Sequence, residues 1–291
     1  MLYVIFNPNA GRGTAARHES EVRAALDASG LSYAFVRTEG VGHAERLAAT
    51  AAERDAYTTI MAAGGDGTIN EVVNGMLGSS TPLALLPLGT GNDLVKMFGL
   101  KPNRPADAIA RIRAGVVRWI DVGCANGRAF VNGLGCGLDA QIAVETRRPT
   151  RLRGFAVYLV ALLRALRHYQ APRMRVSYGN TSVEQRMTFA AVGNGRCQGG
   201  GFWLTPQARI DDGLLDLCVC SYLRLDEIVR HVPKVMRGTH GRLKQVAMAQ
   251  TRQVMIETAA PAPVHIDGEI IGTALRKVEV EIRPAVLPVL A

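Results

Sequence analysis

At 291 residues, with 48% hydrophobic and 20% charged side chains, the chain has the length for two domains and is too apolar to be disordered. No apolar run reaches the roughly 18–20 residues of a membrane span, because the longest, residues 155–163, closes at Arg164; the opening strand-like run lacks the basic region and cleavage site of a signal peptide. Lys and Arg total 34 against 25 Asp and Glu, a charge of +9 that suits a polyanionic partner, whereas 5% aromatics argue against a nucleic-acid stacking platform.

Residues 2–6 read as a strand stopped by Asn7-Pro8. Residues 14–28 carry helical spacing through Ala15, Val22, Ala25 and Leu26. A strand over 32–37, a helix over 43–55, a strand over 58–63, a helix over 69–77 and a strand over 82–87 follow. This alternation predicts an α/β domain with a parallel, helix-covered sheet, whose ligands sit at the carboxyl ends of the strands. After residue 120 the pattern changes. Asn126-Gly127 and Gly179-Asn180 mark hairpins, and further strands are expected over 214–220, 253–257 and 277–282. The second half is therefore a mainly antiparallel β-sandwich, interrupted by helices over 154–170 and 226–236. The boundaries predicted are 1–121 and 122–284. Arg147, Arg148, Arg151 and Arg153 make the one local basic cluster. The 5 cysteines include no C-x-x-C pair; Cys218 and Cys220 share a strand face with no third ligand nearby, which points to a reducing, cytoplasmic compartment.

Five segments hold more Gly, Asn and Asp than punctuation requires. Asn7-Pro8-Asn9-Ala10-Gly11-Arg12-Gly13 follows the first strand, Gly64-Gly65-Asp66-Gly67-Thr68-Ile69-Asn70-Glu71 the third, and Gly89-Thr90-Gly91-Asn92-Asp93 the fourth. Glycines let a backbone approach closely, and N–H groups at a helix start suit phosphate. A plain turn capped by Thr68 would need only one such residue. The fourth segment runs from Gly193-Asn194-Gly195 through Gly199-Gly200-Gly201 to Asp211-Asp212-Gly213-Leu214-Leu215-Asp216. In the fifth, His265-Ile266-Asp267-Gly268-Glu269, two carboxylates flank a turn and could supply a general base. A Walker-type phosphate loop, H-E-x-x-H, G-x-S-x-G and a Rossmann fingerprint after the first strand are all missing.

In this order, NPNAGRG, GGDGTINEVVNG, LPLGTGNDL, GNG…GGG…P…DDGLLDL and HIDGE, the sequence resembles the diacylglycerol kinase catalytic-domain family, specifically its soluble bacterial lipid kinases, within a wider group that includes NAD kinase and phosphofructokinase. The resemblance spans nearly the whole chain. It implies ATP-dependent transfer of a γ-phosphate to a lipid hydroxyl, with ATP in a cleft between the two domains and residues 285–291 returning to the first. Asn7, Gly11, Arg12, Arg17, Thr38, Gly64, Gly65, Asp66, Gly67, Thr68, Ile69, Asn70, Thr90, Asn92 and Asp93 would then line the nucleotide site. Arg12 stands where relatives often carry Lys. Asp267 or Glu269 would deprotonate the lipid, and Asp66 would serve catalysis. A structural Mg²⁺ would be bound by Asp212 and the carbonyls of Arg209 and Leu214, with Asp66 and Asp93 linked to it through waters. The basic surface would bring the enzyme peripherally to an anionic membrane, where the helix over 154–170 could dock, or that helix could pack on the sandwich. The partners implied are the lipid substrate and the membrane, with no nucleic acid; a homodimer is compatible. The alternatives are an NAD kinase-like enzyme, against which GTGND and DGE argue, and a non-catalytic nucleotide- or membrane-binding regulator, which would need a lost carboxylate.

Overall fold

The computed structural model describes residues 1–148 and 155–291, the side chains of Phe155 and Tyr158 excepted. Arg151, Arg153 and Gly154, named above in the basic cluster and the helix start, lie outside the described residues. Two compact units divide the chain, one of residues 1–122 and 284–291, the other of residues 123–283.

The first unit runs β1 (Leu2–Phe6), α1 (Glu19–Ser29), β2 (Tyr33–Arg37), α2 (His43–Ala52), β3 (Thr59–Gly64), α3 (Asp66–Met76), β4 (Leu83–Pro87), α4 (Asp93–Lys96) and α5 (Pro105–Ala114), then enters β5 (Val117–Ala125). β1 pairs in parallel with both β2 and β3, and β3 with β4, giving the order β4-β3-β1-β2. Every residue of β1 and β4 is buried, as a parallel strand covered by helices on both faces must be. Val4, Phe6, Met61 and Leu86 from the sheet pack with Val22 and Leu26 of α1 and Ile109 of α5. The C-terminal residues return to this sheet, Val289 pairing in parallel with Leu83. The chain leaves β1 toward β2 on one side and β3 toward β4 on the other, so the order reverses between β1 and β3, and a crevice opens at their carboxyl ends.

Two local expectations differ from the structure. α3 begins at Asp66, not at 69, so Thr68 lies inside the helix and Gly65, in extended conformation, is the cap residue. Residues 105–114, for which no element was expected, form α5, started by Pro105 in the first turn and closed by left-handed Gly115.

The second unit contains β6 (Arg128–Phe130), β7 (Gly133–Gly137), α6 (Leu138–Thr146), α7 (Phe155–His168), β8 (Arg173–Tyr178), β9 (Thr181–Gly193), β10 (Leu215–Ser221), α8 (Leu225–Met236), β11 (Val246–Thr251), β12 (Gln253–Ile266) and β13 (Glu269–Leu290), whose last residues belong to the first unit. Its ladder runs β11-β10-β9-β7-β12-β13, antiparallel throughout, with β8 bridging β9 and β12. β12 and β13 are much longer than the expected 253–257 and 277–282. The β12–β13 register shifts between Glu257 and Ala262, and that irregularity accommodates Pro261, which a regular ladder would refuse. Asn126 and Gly127 both take positive φ in the β5–β6 turn, the conformation that the Asn-Gly pair favours. Phe130, Leu134, Met187, Val192, Leu217, Ile256 and Val264 form the sandwich core.

Candidate active site

In the first unit, three Gly-rich turns meet at the carboxyl ends of β1, β3 and β4. The Asn7 side chain spans the crevice, its Nδ2 donating to Thr68 Oγ1 at 2.8 Å, while its Oδ1 accepts Asn9 N at 2.9 Å. The turns after β3 and β4 touch backbone to backbone: a Cβ on Gly65 would lie 3.1 Å from Gly89 Cα, and one on Gly89 would fall onto Gly65 Cα. A Cβ on Gly11 would strike Thr14 Oγ1 and come within 2.9 Å of Leu88 O. Asn92 stitches its own turn, its Oδ1 accepting Gly89 N at 3.1 Å and its Nδ2 donating to Gly89 O at 2.7 Å. Asp66 Oδ1 accepts Asp93 N at 2.8 Å, tying the second turn to the third. Asp93, 6% exposed, is held by Lys96 Nζ at 2.6 Å.

No side chain caps α3, and its first intrahelical bond runs from Ile69 N to Gly65 O at 3.0 Å. The N–H groups of Gly67 and Thr68 thus stand at the positive end of the helix dipole without intrahelical acceptors. Ile69 and Asn70 are buried on the helix, at 1% and 3% exposure. Thr38, buried just past β2, donates its N–H to Phe6 O at 2.8 Å. Arg12 is exposed in a left-handed conformation, Arg17 is exposed on a 3-10 turn, and Thr90 is exposed in its bend. Glu71 of the GGDGT segment caps α2, its carboxylate accepting Gly42 N at 2.9 Å and Ala44 N at 3.1 Å.

In the second unit, the two candidate bases differ sharply. Asp267, left-handed at φ 48°, accepts three backbone donors: Asn132 N and Gly133 N on Oδ1 and Val131 N on Oδ2, each at 2.9 Å. Its own N–H donates to Gly133 O at 2.8 Å. Glu269 has 57% of its side chain exposed and one oxygen on Arg147 Nη2 at 2.6 Å. The Asp-Asp-Gly-Leu turn closes on Asp212, whose Oδ1 accepts Leu214 N at 3.1 Å, while Arg209 lies 3.7 Å from Asp211. Burial, and then the nearby charge of Asp212, raise the pKa of Asp216. A half-exposed turn with adjacent carboxylates at Asp211 and Asp212, near that of Asp216, offers oxygen donors of the kind that fit a hard cation.

A feature unremarked in the sequence lies beside the HIDGE turn. An apolar cavity of about 160 Å³ opens within this unit, walled by Ile142, Leu162, Phe202, Leu223, Ile228 and Val232. Asp139, His265 and Gln198 also line it. Burial pushes the Asp139 carboxyl up to about 7 and His265 down to about 4. The only signal available was G133-L-G-C-G-L-D139, an alternation of glycines on a strand that ends in an acid.

Comparison with known proteins bears on the whole chain. A profile described as diacylglycerol kinase catalytic domain matches residues 1–125, and one described as YegS C-terminal NAD kinase beta sandwich-like domain matches residues 132–291. The chain belongs to this family of kinases. It is 29% identical over 273 residues to a diacylglycerol kinase of Bacillus subtilis, covering 92% of this chain and 89% of that one. It is 33% identical over 275 residues to a "Probable lipid kinase YegS-like" protein of Pseudomonas aeruginosa, with the same coverage. Among solved structures, a diacylglycerol kinase of Bacillus anthracis superposes with TM-score 0.73 at 23% identity, covering 99% of this chain and 96% of that one. An NAD kinase from Archaeoglobus fulgidus superposes with TM-score 0.57 at 12% identity, covering 100% and 94%; both superpositions are likeness of fold alone.

Proposed function

We propose that this kinase uses ATP to phosphorylate a lipid hydroxyl. The observation that carries the nucleotide part is the junction of three turns at the β1/β3 reversal, closed by the Gly65–Gly89 contact and the Asn7–Thr68 hydrogen bond. Gly64, Gly65 and Gly67 keep the turn free of side chains, so that Gly67 N–H, Thr68 N–H and the α3 dipole can hold phosphate oxygens. Arg12, presented on a left-handed turn, offers phosphate a two-pronged fork. Asp66 is oriented by Asp93 N–H, and Asp93 by Lys96, which fixes the acidic edge of the site. Phosphoryl transfer depends mainly on such positioning and charge placement.

For the proton of the acceptor hydroxyl, the two candidate carboxylates are assigned different work. Asp267, with both oxygens occupied by backbone N–H groups, sets the shape of the turn. Glu269, exposed and held by a single arginine, is the proton acceptor. Asp212 with the carbonyls of Arg209 and Leu214 would hold Mg²⁺, which when bound would supply charge neutralisation and a fixed loop. The lipid reading is supported by the apolar cavity in the second unit and by the family. Peripheral contact with an anionic membrane is supported by exposed Leu159 and Leu163 on α7 and Tyr222, Leu225 and Val229 on or before α8, with Arg164, Arg167, Arg224, Arg230 and Lys234 on or beside the same elements. No helix among the described residues is long and apolar enough to cross a membrane.

The test is incubation with radiolabelled ATP and a lipid panel (diacylglycerol, phosphatidylglycerol, a sphingoid base) beside NAD, resolved by thin-layer chromatography. A labelled lipid is the expected product. Label on NAD alone, or on nothing despite ATP binding, would sink the reading.

A further inference from the structure

β7 carries glycine at 133, 135 and 137, all on one face, while Leu134 and Cys136 on the other face enter the sandwich core. Each missing Cβ makes room for something polar. A Cβ at Gly133 would strike the Gln198 amide; one at Gly135 would strike Asp139 Oδ2 and lie 2.5 Å from His265 Nε2. A Cβ at Gly137 would lie 2.8 Å from Thr188 O. The strand face is therefore a floor for a row of polar side chains, and the row borders the apolar cavity.

Parts of this row lack hydrogen-bond partners among the described residues. Gln198 is 5% exposed, and neither its Oε1 nor its Nε2 meets a hydrogen-bond partner among the described residues. Asp139 Oδ2 is likewise buried without one. His265, 5% exposed, accepts Gly268 N on Nδ1 at 3.3 Å, so its neutral ring carries its proton on Nε2. That proton points to Asp139 Oδ2 from 3.8 Å, beyond hydrogen-bond range. Buried amides and carboxyls left this way are costly unless something else completes them. Gln198 over Gly133 and the Asp139–His265 pair over Gly135 stand two residues apart on a strand, or roughly 7 Å.

We propose that Gln198, His265 and Asp139 form a clamp that holds the neutral ester-and-hydroxyl linkage of a lipid whose acyl chain enters the cavity, and so discriminates among substrates. Such a clamp rests on the lipid-kinase reading above. The donors are Gln198 Nε2 and His265 Nε2, which suit an ester carbonyl. Gln198 Oε1 accepts, and Asp139 Oδ2 accepts or, when protonated, donates; a hydroxyl can answer both. An ammonium headgroup, which can only donate, would leave both N–H donors without an acceptor. Among the described residues no Lys or Arg lines the cavity, which gives an anionic headgroup no counter-charge. A void of about 160 Å³ is the size that takes a benzene-like guest, so it would seat the chain segment next to the linkage.

The experiment measures KM and kcat with dioctanoylglycerol and with its dioctyl ether analogue, which lacks both carbonyls, in detergent mixed micelles. Decanol and decylamine are competitors that probe the apolar cavity and a cation. For the wild type, KM for the diester should lie about tenfold below that for the diether, the worth of one net hydrogen bond. Gln198→Leu and His265→Gln should erase that gap while decanol, seated by the apolar cavity, still competes. Survival of the gap in both variants would overturn the clamp. So would equal loss of both substrates together with decanol competition, which marks a collapsed cavity, or stronger competition by decylamine than by decanol in the wild type. If Gln198→Leu does not fold, Gln198→Met keeps the volume and removes the amide. Should the wild type phosphorylate neither lipid yet bind diester over diether in competition, the kinase reading fails and the clamp stands. Should it phosphorylate both with equal KM, the clamp fails and the kinase reading stands.

Discussion

Asp139 and His265 should give opposite pH dependences that nearly cancel in the wild type. Asp139 is displaced by burial from 3.8 to about 7, so between these values the folded chain holds a proton that the unfolded chain has lost. Stability from this group is fully present below pH 3.8 and is lost as pH rises through 7, by about 4 kcal/mol at most. His265 is displaced by burial from 6.5 to about 4, so the unfolded chain binds the extra proton. Its contribution is present above pH 6.5 and is lost as pH falls through 4, by about 3 kcal/mol. The other groups around Asp139 are Cys136 on β7, raised to about 12 chiefly by burial, and Tyr169 and Cys218, both raised further by burial; all stay neutral from pH 4 to 7. The wild type should therefore show little net slope from this pair. His265→Gln should expose the acid, with stability falling by up to about 4 kcal/mol from about pH 4 to 7. Asp139→Asn should expose the base, with stability rising by about 3 kcal/mol from about pH 4 to 6.5. Urea unfolding would be followed by Trp203 emission in a Trp119→Phe background, so that the second unit is read alone. Parallel profiles in the wild type and both variants would refute the buried pair.

Asp267→Asn should lower the melting temperature by several degrees, because an amide accepts at most two of the three N–H groups and turns a donor onto the third, a loss of about 2–4 kcal/mol; an unchanged melt with kcat down about 10²–10⁴ would make Asp267 the base instead. Glu269→Gln should give the reverse, kcat falling about 10²–10⁴ with an unaltered melt, since its side chain is exposed. Asp66→Ala should abolish turnover while circular dichroism stays native; near wild-type turnover would remove the acidic edge from the mechanism. Gly89→Ala should raise the ATP dissociation constant at least tenfold, because its Cβ has Gly65 Cα in the way, and unchanged ATP affinity would mean that the two turns do not act together. Mg²⁺ should raise the melting temperature of the wild type but not of Asp212→Ala, and an equal effect on both would reject a structural ion at that turn.

The order of elements in the first unit was open to reading because each strand there is an unbroken apolar run followed by glycine or a turn. Phase within helices was less open. Thr68 has the chemistry of a cap, yet its hydroxyl is taken by Asn7, 61 positions away, and Gly65 begins the helix. α5 was missed because its apolar positions Ala108, Ile109 and Ile112 are few and dispersed among Arg and Asp. The true reach of β12 was hidden by Pro261 and Pro263, which sit at ladder irregularities. The three Gly-rich turns could be singled out from sequence because their chemistry is local to each segment. The two carboxylates of HIDGE could not be told apart, since what separates them is contact with Val131, Asn132 and Gly133 on one side and Arg147 on the other, all far away along the chain.

The glycines of this chain solve two different problems, and only context tells them apart. In the turns after β3 and β4 they let backbone meet backbone, which leaves N–H groups at the surface for an anionic ligand. On β7 they do the opposite: the backbone N–H and C=O groups are spent on the ladder to β9 and β12, and the space of the missing side chains is given to Gln198, Asp139 and His265. A G-x-G string has the same letters in both settings. What decides is the partner of the glycine face: another glycine backbone makes a phosphate seat, whereas an unsatisfied polar side chain over an apolar void makes a seat for a neutral polar group carried on a hydrocarbon chain. A kinase that acts on a lipid hydroxyl needs one of each, and the sites proposed above put the first in the α/β unit and the second in the sandwich.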